Sequence, residues 1–178
     1  EQTEKGVYAK KTKAPSGKVM LSFPSVGATQ NAVLASIYSD SQVILKNCAI
    51  EPEVTELCYF LNQAGAKIEG IGSKTLIIHG VSRLQEVTYE IRGDRIAAGT
   101  YLAAAVMTRG SLTVKKIDPK ELSSVLELYQ KMGNFVKVYQ DAIFLDASKR
   151  KYLEALNVTT EPYPGFPTDM QSQVMSLM

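Results

Sequence analysis

The stretch "SQVILKNCAIEPEVTELCYFLNQAGAKIEGIGSKTLIIHG", residues 41–80, has a second version in the chain, "SLTVKKIDPKELSSVLELYQKMGNFVKVYQDAIFLDA", residues 111–147. Each version opens with an alternating strand pattern and then places an acidic residue before a proline, which is a helix start signal. Each continues with apolar residues at helical spacing, a glycine that ends the helix, and a hairpin pattern. The chain therefore contains an internal repeat.

A helix of a different kind precedes each of these stretches. Residues 26–38 and 95–108 are rich in alanine and apolar around most of their circumference, which is typical of a buried helix. With a strand placed in front, the order of elements is βαβαββ. One copy covers about 17–91 and another about 86–146, so the predicted fold class is α/β with repeated βαβαββ units.

A third copy begins near the end of the sequence. We predict a strand at 156–160 and a helix that starts near Thr168, with Met170, Val174 and Leu177 on one face. The sequence stops before such a helix is complete, and it does not begin with Met. We therefore expect the chain to be a fragment of a longer protein.

Composition excludes several functional classes. The 178-residue chain has a net charge of +2, which is too weak to indicate nucleic-acid binding. It contains neither an apolar run of the ~20 residues that a membrane span needs nor a signal-peptide pattern. Its two cysteines form no disulfide framework, so we predict a reduced cytoplasmic protein. A loose basic run near the N-terminus is predicted to be a solvated end; its members are Lys5, Lys10, Lys11, Lys13 and Lys18.

The reactive residues offer no metal or triad chemistry. Cys48 and Cys58 are the two cysteines, His79 is the single histidine, and none stands in a metal-ligand spacing. We predict His79 to be a strand-end residue beside a turn. No cofactor and no metal are expected.

The stretch "FPSVGATQNA", residues 23–32, is the first candidate site. Ser25 lies at the N-cap position of a predicted helix, and Gly27 allows a ligand to approach the backbone closely. Helix starts present N–H groups and partial positive charge, which hold phosphates well. A simple capped helix and a phosphate contact both remain open from these residues alone.

The stretch "YPGFPTDMQ", residues 163–171, is the second. Thr168 with Gln171 three residues later predicts a capping box, and the prolines make the approach rigid. Asp169 then lies in the first helical turn. Asp169 either interacts favourably with the helix dipole or is a functional carboxylate that accepts a hydrogen bond or a proton.

A third helix start, in "IRGDRIAAGTY", residues 91–101, places Asp94 at the cap and Arg95 just after it. Arg95 is either a structural ion-pair residue or a residue that faces a ligand.

Four stretches together carry a family resemblance: "PSVGAT", "EPEV" followed by "GAKI", "DRI" followed by "GTYL", and "YPGFPTDMQ", in that order. They resemble the UDP-N-acetylglucosamine 1-carboxyvinyltransferases, a family of bacterial enolpyruvyl transferases. The resemblance covers the chain from about Gly6 onward. A sister family, the shikimate-pathway transferases, shares the fold but has other characteristic motifs.

The resemblance implies a fold and a reaction. The family has inside-out barrels of βαβαββ units, three per domain; residues 1–92 would be the last unit of the UDP-sugar domain and 93–178 part of the second domain. The reaction transfers the enolpyruvyl group of phosphoenolpyruvate to the 3'-hydroxyl of UDP-N-acetylglucosamine. It is the first committed step of peptidoglycan synthesis and so serves the cell wall, cell shape and cell division.

The resemblance also implies site residues. Asp169 would act in proton transfer beside the sugar 3'-hydroxyl. The residues implied to bind UDP-N-acetylglucosamine are Phe23, Pro24, Ser25, Val26, Gly27 and Asp169. Many family members have Lys where this chain has Phe23, so a charged phosphate contact there is not expected.

Other family elements are not in the sequence. The "KNA" contact to phosphoenolpyruvate and the glycine-rich loop with a reactive cysteine are absent, and the clamping arginines would lie beyond Met178. We therefore expect no turnover by the chain alone, and self-association through exposed unit faces. The alternative is a non-catalytic βαβαββ module that binds a nucleotide-sugar or a protein.

Overall fold

The computed structural model describes residues 2–3, 6–7 and 14–178. The chain divides into two compact units, one ending at Tyr89 and the other covering Glu90–Met178. Most of the predicted basic run lies outside the described residues; Lys18 is described and is exposed.

The first unit has the predicted order of elements. The strands are β1 (Gln2–Thr3), β2 (Gly6–Val7), β3 (Gly17–Met20), β4 (Val43–Lys46), β5 (Lys67–Glu69) and β6 (Thr75–His79), and the helices are α1 (Val26–Ser36) and α2 (Pro52–Gln63). The main sheet has the order β3-β4-β6-β5, with β3 parallel to β4 and the other pairs antiparallel. From β3 onward this is βαβαββ, as the first copy of the repeat predicts.

Alternation along the strands builds the core of the first unit. Val43 and Leu45 on β4, with Leu76 and Ile78 on β6, are buried together with residues of α1 and α2. The prediction that α1 is buried is wrong for one of its faces, since Leu34 is 50% exposed. Among the described residues no element covers that face.

The second unit repeats most of this pattern. Its helices are α3 (Arg95–Met107), α4 (Ser123–Lys131) and α5 (Gln171–Met175), and its strands are β7 (Ser111–Lys115), β8 (Phe135–Val138) and β9 (Ala142–Asp146). One 3₁₀ turn, Pro119–Leu122, leads into α4, and another, Thr168–Met170, leads into α5. The sheet is antiparallel with the order β7-β9-β8.

The capping residues and glycines that the sequence places at the helix ends are largely confirmed. Asp118 caps the turn before α4 by accepting from the N–H of Lys120, whereas Glu51 makes no side-chain cap bond before α2. Gly65 and Gly133 follow the ends of α2 and α4 with φ of +100° and +90°. Glycine adopts this left-handed conformation without the steric cost of a side chain.

The βαβαββ order predicts a strand at the start of the second copy, from about residue 86, and the structure forms none over the segment 86–91. The segment straddles the boundary between the units, and its first part packs on α2. The Gln63 side-chain amide donates to the carbonyl of Thr88 at 3.0 Å, and the rings of Phe60 and Tyr89 meet edge to face at 5.5 Å. These contacts attach the segment to α2 through side chains, and no residue of 86–91 pairs with a strand in the described part of the chain.

The strand predicted at 156–160 is also not formed. Leu156 and Val158 pack against the core of the second unit, so their apolar surface is buried without a sheet. No neighbouring strand is available to 156–160 within residues 14–178. The helix start near Thr168 is confirmed, and Met170, Val174 and Leu177 are all buried, as their spacing predicts.

Like α1, the predicted buried helix α3 has an open side. Ala98, Gly99, Leu102, Ala103 and Val106 are among its buried residues, yet Tyr101 is 67% exposed. None of the helices in the described part of the chain has the length and apolar character that spanning a membrane requires.

Candidate functional site

The start of α1 has the geometry that the sequence predicts. Ser25 is the N-cap, with φ −84° and ψ 130°, and its hydroxyl accepts a hydrogen bond from the N–H of Ala28 at 3.3 Å. The first turn contains no acidic residue. The positive end of the helix dipole is therefore not neutralised by a carboxylate of its own helix.

Thr29 holds this helix start in place through two hydrogen bonds on its buried side. Its side chain is fully buried; the hydroxyl donates to the carbonyl of Ser25 at 2.8 Å and accepts from the N–H of Ala49 at 3.0 Å. The cap is thereby tied to the segment that joins β4 to α2. Sequence reasoning missed this residue, because a threonine in a helix gives no signal of a distant backbone partner.

The outer side of the helix start is open. Gly27 is exposed, and a Cβ placed on it would meet no atom within 4 Å. Phe23 is 61% exposed, and its carbonyl accepts from the N–H of Ser25 at 2.8 Å. A ligand can approach the backbone at Val26 and Gly27 from this side without displacing protein atoms.

The proline-rich loop before Asp169 is a closed turn. The N–H of Gly165 donates to the carbonyl of Pro162 at 2.9 Å, and the N–H of Glu161 donates to the carbonyl of Phe166 at 2.9 Å. The Tyr163–Pro164 peptide bond is cis. Phe166 is buried in the core of the second unit, so the loop is anchored as well as turned.

Asp169 lies in the first turn after this loop, as predicted, and is exposed. The predicted capping box is wrong. Pro167 occupies the cap position with φ −72° and ψ 138°, which makes Thr168 the first residue of the turn, and there is no side-chain cap bond. The neighbour of Asp169 on its C-terminal side, Met170, is fully buried.

The start of α3 lies beside the same loop. Asp94 caps α3 with its Oδ1 atom, which accepts from the N–H groups of Ile96 at 2.7 Å and Ala97 at 3.1 Å. Arg95 is only 6% exposed, and its guanidinium carbon lies 5.6 Å from the centre of the Tyr163 ring. This is a cation–π contact between the helix and the loop.

The two cysteines are unsuited to nucleophilic chemistry. Cys48 and Cys58 are buried, and burial raises the pKa of both thiols, that of Cys58 to about 11. Both are therefore protonated at neutral pH, and it is the thiolate that reacts. Within the described ranges, His, Cys, Asp and Glu side chains form no group of three that suits a metal ion.

The site residues fall into two groups. Phe23, Pro24, Ser25, Val26 and Gly27 lie together at one helix start of the first unit, and Asp169 lies in the second unit. The first group supplies backbone N–H groups and partial positive charge, and the second supplies a carboxylate. Each group lies within its own unit, and each is a candidate site by itself.

Comparison with protein families gives a match over almost the whole chain. Residues 4–178 match the family described as EPSP synthase (3-phosphoshikimate 1-carboxyvinyltransferase). The chain belongs to this family. The repeated βαβαββ order is therefore that of the enolpyruvyl transferase fold, as the sequence resemblance implies.

Within this EPSP synthase family, similar proteins have a more specific name. The chain is 47% identical over 160 residues to the UDP-N-acetylglucosamine 1-carboxyvinyltransferase of Chlorobaculum parvum, covering 89% of this chain and 37% of that protein. It is 41% identical over 169 residues to the protein of that name from Pelagibacter ubique, covering 93% and 40%. The chain thus spans little more than a third of the length of these relatives.

Solved structures show the same fold. The enolpyruvyl transferase NikO from Streptomyces tendae superposes with a TM-score of 0.73 at 25% identity, covering 87% of this chain and 37% of that chain. EPSP synthase from Acinetobacter baumannii superposes with a TM-score of 0.56 at 15% identity, covering 90% and 38%. The second likeness concerns the fold alone.

Proposed function

We propose that this chain carries two substrate-handling elements of an enzyme that transfers the enolpyruvyl group of phosphoenolpyruvate to UDP-N-acetylglucosamine. The supporting observation is the identity of 40–47% to several proteins named UDP-N-acetylglucosamine 1-carboxyvinyltransferase. Such a transferase makes a peptidoglycan precursor in the bacterial cytoplasm, so the proposal includes a role in cell-wall growth, cell shape and cell division.

The start of α1 is proposed to bind the nucleotide-sugar. Its neutral Ser25 cap and the absence of acidic residues in the first turn leave the positive end of the helix available to a diphosphate. Gly27 has open space beside it, so a phosphate can approach the backbone N–H groups there. Phe23 brings no charge, and the contacts therefore fall to the backbone and to Ser25.

Asp169 is proposed to act at the sugar. A carboxylate beside the 3'-hydroxyl accepts its proton while the hydroxyl oxygen forms a bond to C2 of phosphoenolpyruvate, the C2–C3 double bond opens and C3 takes up a proton. Loss of a proton from C3 with cleavage of the C2–O bond to phosphate then restores the double bond and releases inorganic phosphate. The anchored loop from Glu161 to Phe166 holds the carboxylate in a fixed place, which favours catalysis by orientation. We also propose that residues 1–92 and 93–178 belong to two domains of the transferase.

A chimeric enzyme tests the proposal. Residues 14–178 would replace the matching segment of the Chlorobaculum parvum relative, and phosphate release from phosphoenolpyruvate would be measured with UDP-N-acetylglucosamine as acceptor. We expect turnover that requires this acceptor and that Asp169→Ala abolishes. Turnover with 3-phosphoshikimate instead would show that the acceptor is wrong. An active chimera that is indifferent to Asp169→Ala would remove the proposed role of Asp169.

Binding by the chain itself provides a separate measurement. Calorimetric titration with UDP-N-acetylglucosamine would compare the natural chain with Gly27→Ala. Alanine is favoured over glycine in a helix and meets no protein atom here, so the variant should fold at least as well. We expect weaker binding nonetheless, because the added methyl group occupies the approach to the backbone.

A further inference from the structure

The contact between α3 and the residue after Asp169 depends on a glycine. A Cβ placed on Gly99 would lie 2.9 Å from the Met170 sulfur and 3.0 Å from its terminal methyl carbon. Nonbonded carbon atoms at their preferred separation lie about 3.5–4.0 Å apart. A side chain at this position would therefore require the end of the Met170 side chain to shift. Glycine is also unfavourable inside a helix compared with alanine, which indicates that packing retains it here.

Met170 has little room to yield. Its side chain is fully buried in the core of the second unit, and Leu122 lies on the same side, with its Cδ2 atom 3.4 Å from the Cβ that Gly99 lacks. Methionine is flexible, but a flexible side chain can move only into space that exists. We therefore expect part of any displacement at Met170 to reach its backbone and the adjoining Asp169.

Further contacts hold the same segment against α3 and α4. The side-chain amide of Gln173 donates to the hydroxyl of Thr100 at 2.8 Å, and the hydroxyl of Ser124 donates to the carbonyl of Gly165 at 3.3 Å. Together with the Arg95–Tyr163 contact, they bracket Asp169 on both sides. Among these contacts, the one nearest to Asp169 in sequence is that of Met170 with Gly99.

We propose that Gly99 is a positioning residue for Asp169: the missing side chain lets Met170 lie against the backbone of α3, and this contact sets where the Asp169 carboxylate stands. The catalytic meaning of this position rests on the role proposed above for Asp169. The geometric part does not depend on that role.

The first arm of the test uses the 178-residue chain and nuclear magnetic resonance. The variants are Gly99→Ala, the compensating pair Gly99→Ala with Met170→Val, and the control Gly110→Ala, whose new Cβ has Thr108 Oγ1 as its nearest neighbour at 3.4 Å. We expect Gly99→Ala to move the amide resonances of Thr168–Met170 and the Met170 methyl resonance. The control should leave them in place, and the pair should bring the amide resonances back. Unmoved resonances in a folded Gly99→Ala chain would refute the geometric proposal.

The second arm measures kinetics in the chimera. A displaced carboxylate predicts that Gly99→Ala lowers kcat by about 100-fold, with KM for the nucleotide-sugar little changed, and that the pair restores much of the loss. A merely structural role predicts a lower Tm with normal kcat for the folded enzyme, and that result would refute the positioning role. Should Gly99→Ala not fold, Met170→Leu alters the same contact without adding an atom to α3.

The two proposals fail in different ways. A chimera that is inactive without any substitution overturns the proposed function, while the resonance shifts still decide the geometry. A chimera that loses activity on Asp169→Ala but not on Gly99→Ala, despite shifted resonances, overturns positioning alone.

Discussion

The hydroxyl of Tyr129 donates a hydrogen bond to the backbone carbonyl of Gly99 at 3.0 Å, and no part of the Tyr129 side chain is exposed. The bond joins α4 to Gly99 of α3. Met170 packs against the same residue, on the side where a Cβ would be. Gly99 is therefore held from two directions. The place of α3 beneath the Asp169 segment is set by a polar contact as well as by apolar packing.

Replacing Tyr129 by Phe should lower the free energy of unfolding by about 1 kcal/mol, because one buried hydrogen bond is lost and the ring is kept. Urea denaturation of the chain measures it. The matched control is Tyr139→Phe, since Tyr139 is about half exposed and its change should be within about 0.5 kcal/mol. Equal effects of the two substitutions would show that the bond does not contribute.

Replacing Ser25 by Asp should separate stability from binding. Aspartate caps a helix as well as serine does, so the free energy of unfolding should change by less than about 0.5 kcal/mol. Its negative charge stands where the diphosphate is proposed to bind, and affinity for UDP should fall by roughly tenfold. Calorimetry with UDP and with uridine checks this, because uridine lacks the phosphates and should bind both proteins alike. Unchanged UDP affinity would place the diphosphate elsewhere.

Replacing Thr29 by Val should destabilise the first unit by about 1–3 kcal/mol, because the N–H of Ala49 then loses its buried acceptor. Thermal or urea unfolding measures the loss. Thr29→Ser is the control, since it retains the hydroxyl and should lose less. If packing of the Thr29 methyl group were the main contribution, Thr29→Ser would instead lose more stability than Thr29→Val, and the proposed role of the hydrogen bond would be wrong.

Burial of Cys58 predicts a loss of stability in alkali. Its pKa is raised from 9.0 to about 11 in the folded chain, so the unfolded chain gives up this proton first. The contribution to stability is complete below about pH 9 and is lost as pH rises toward 11, by roughly 1 kcal/mol per pH unit. Urea unfolding at pH 8 and pH 10 should show a smaller decrease for Cys58→Ala than for the natural chain. Equal decreases would indicate that other groups account for it.

Local signals in the sequence were sufficient for most of the fold. The caps at Ser25 and Asp94 and the glycines after α2 and α4 act through neighbouring backbone groups, and the structure confirms them. The βαβαββ order of the first unit follows from periodicity alone. These features depend on residues within a few positions of one another, which is what sequence patterns record.

Most of the failures concern partners that are distant in sequence, and the capping box is a local exception. The βαβαββ order predicts a strand at the start of the second copy, but there the Gln63 side chain binds the carbonyl of Thr88 and Phe60 packs against Tyr89. The capping box at Thr168 failed because Pro167 took the cap position one residue earlier. The hydrogen bond from Thr29 to Ala49 and the contact of Gly99 with Met170 leave no pattern in a single sequence.

The repeat makes the caps of α1 and α3 equivalent positions in two units, so they can be compared directly. The N-cap residue differs between the two copies: it is Ser25 in the first and Asp94 in the second. In the second copy a carboxylate already occupies the N–H groups of the helix start, so that copy is committed to holding its own fold. The first copy has an uncharged cap, and its helix start is the one proposed above to bind the nucleotide-sugar. Under the proposed function, the difference at this one position would assign a structural duty to one helix start and a binding duty to the other.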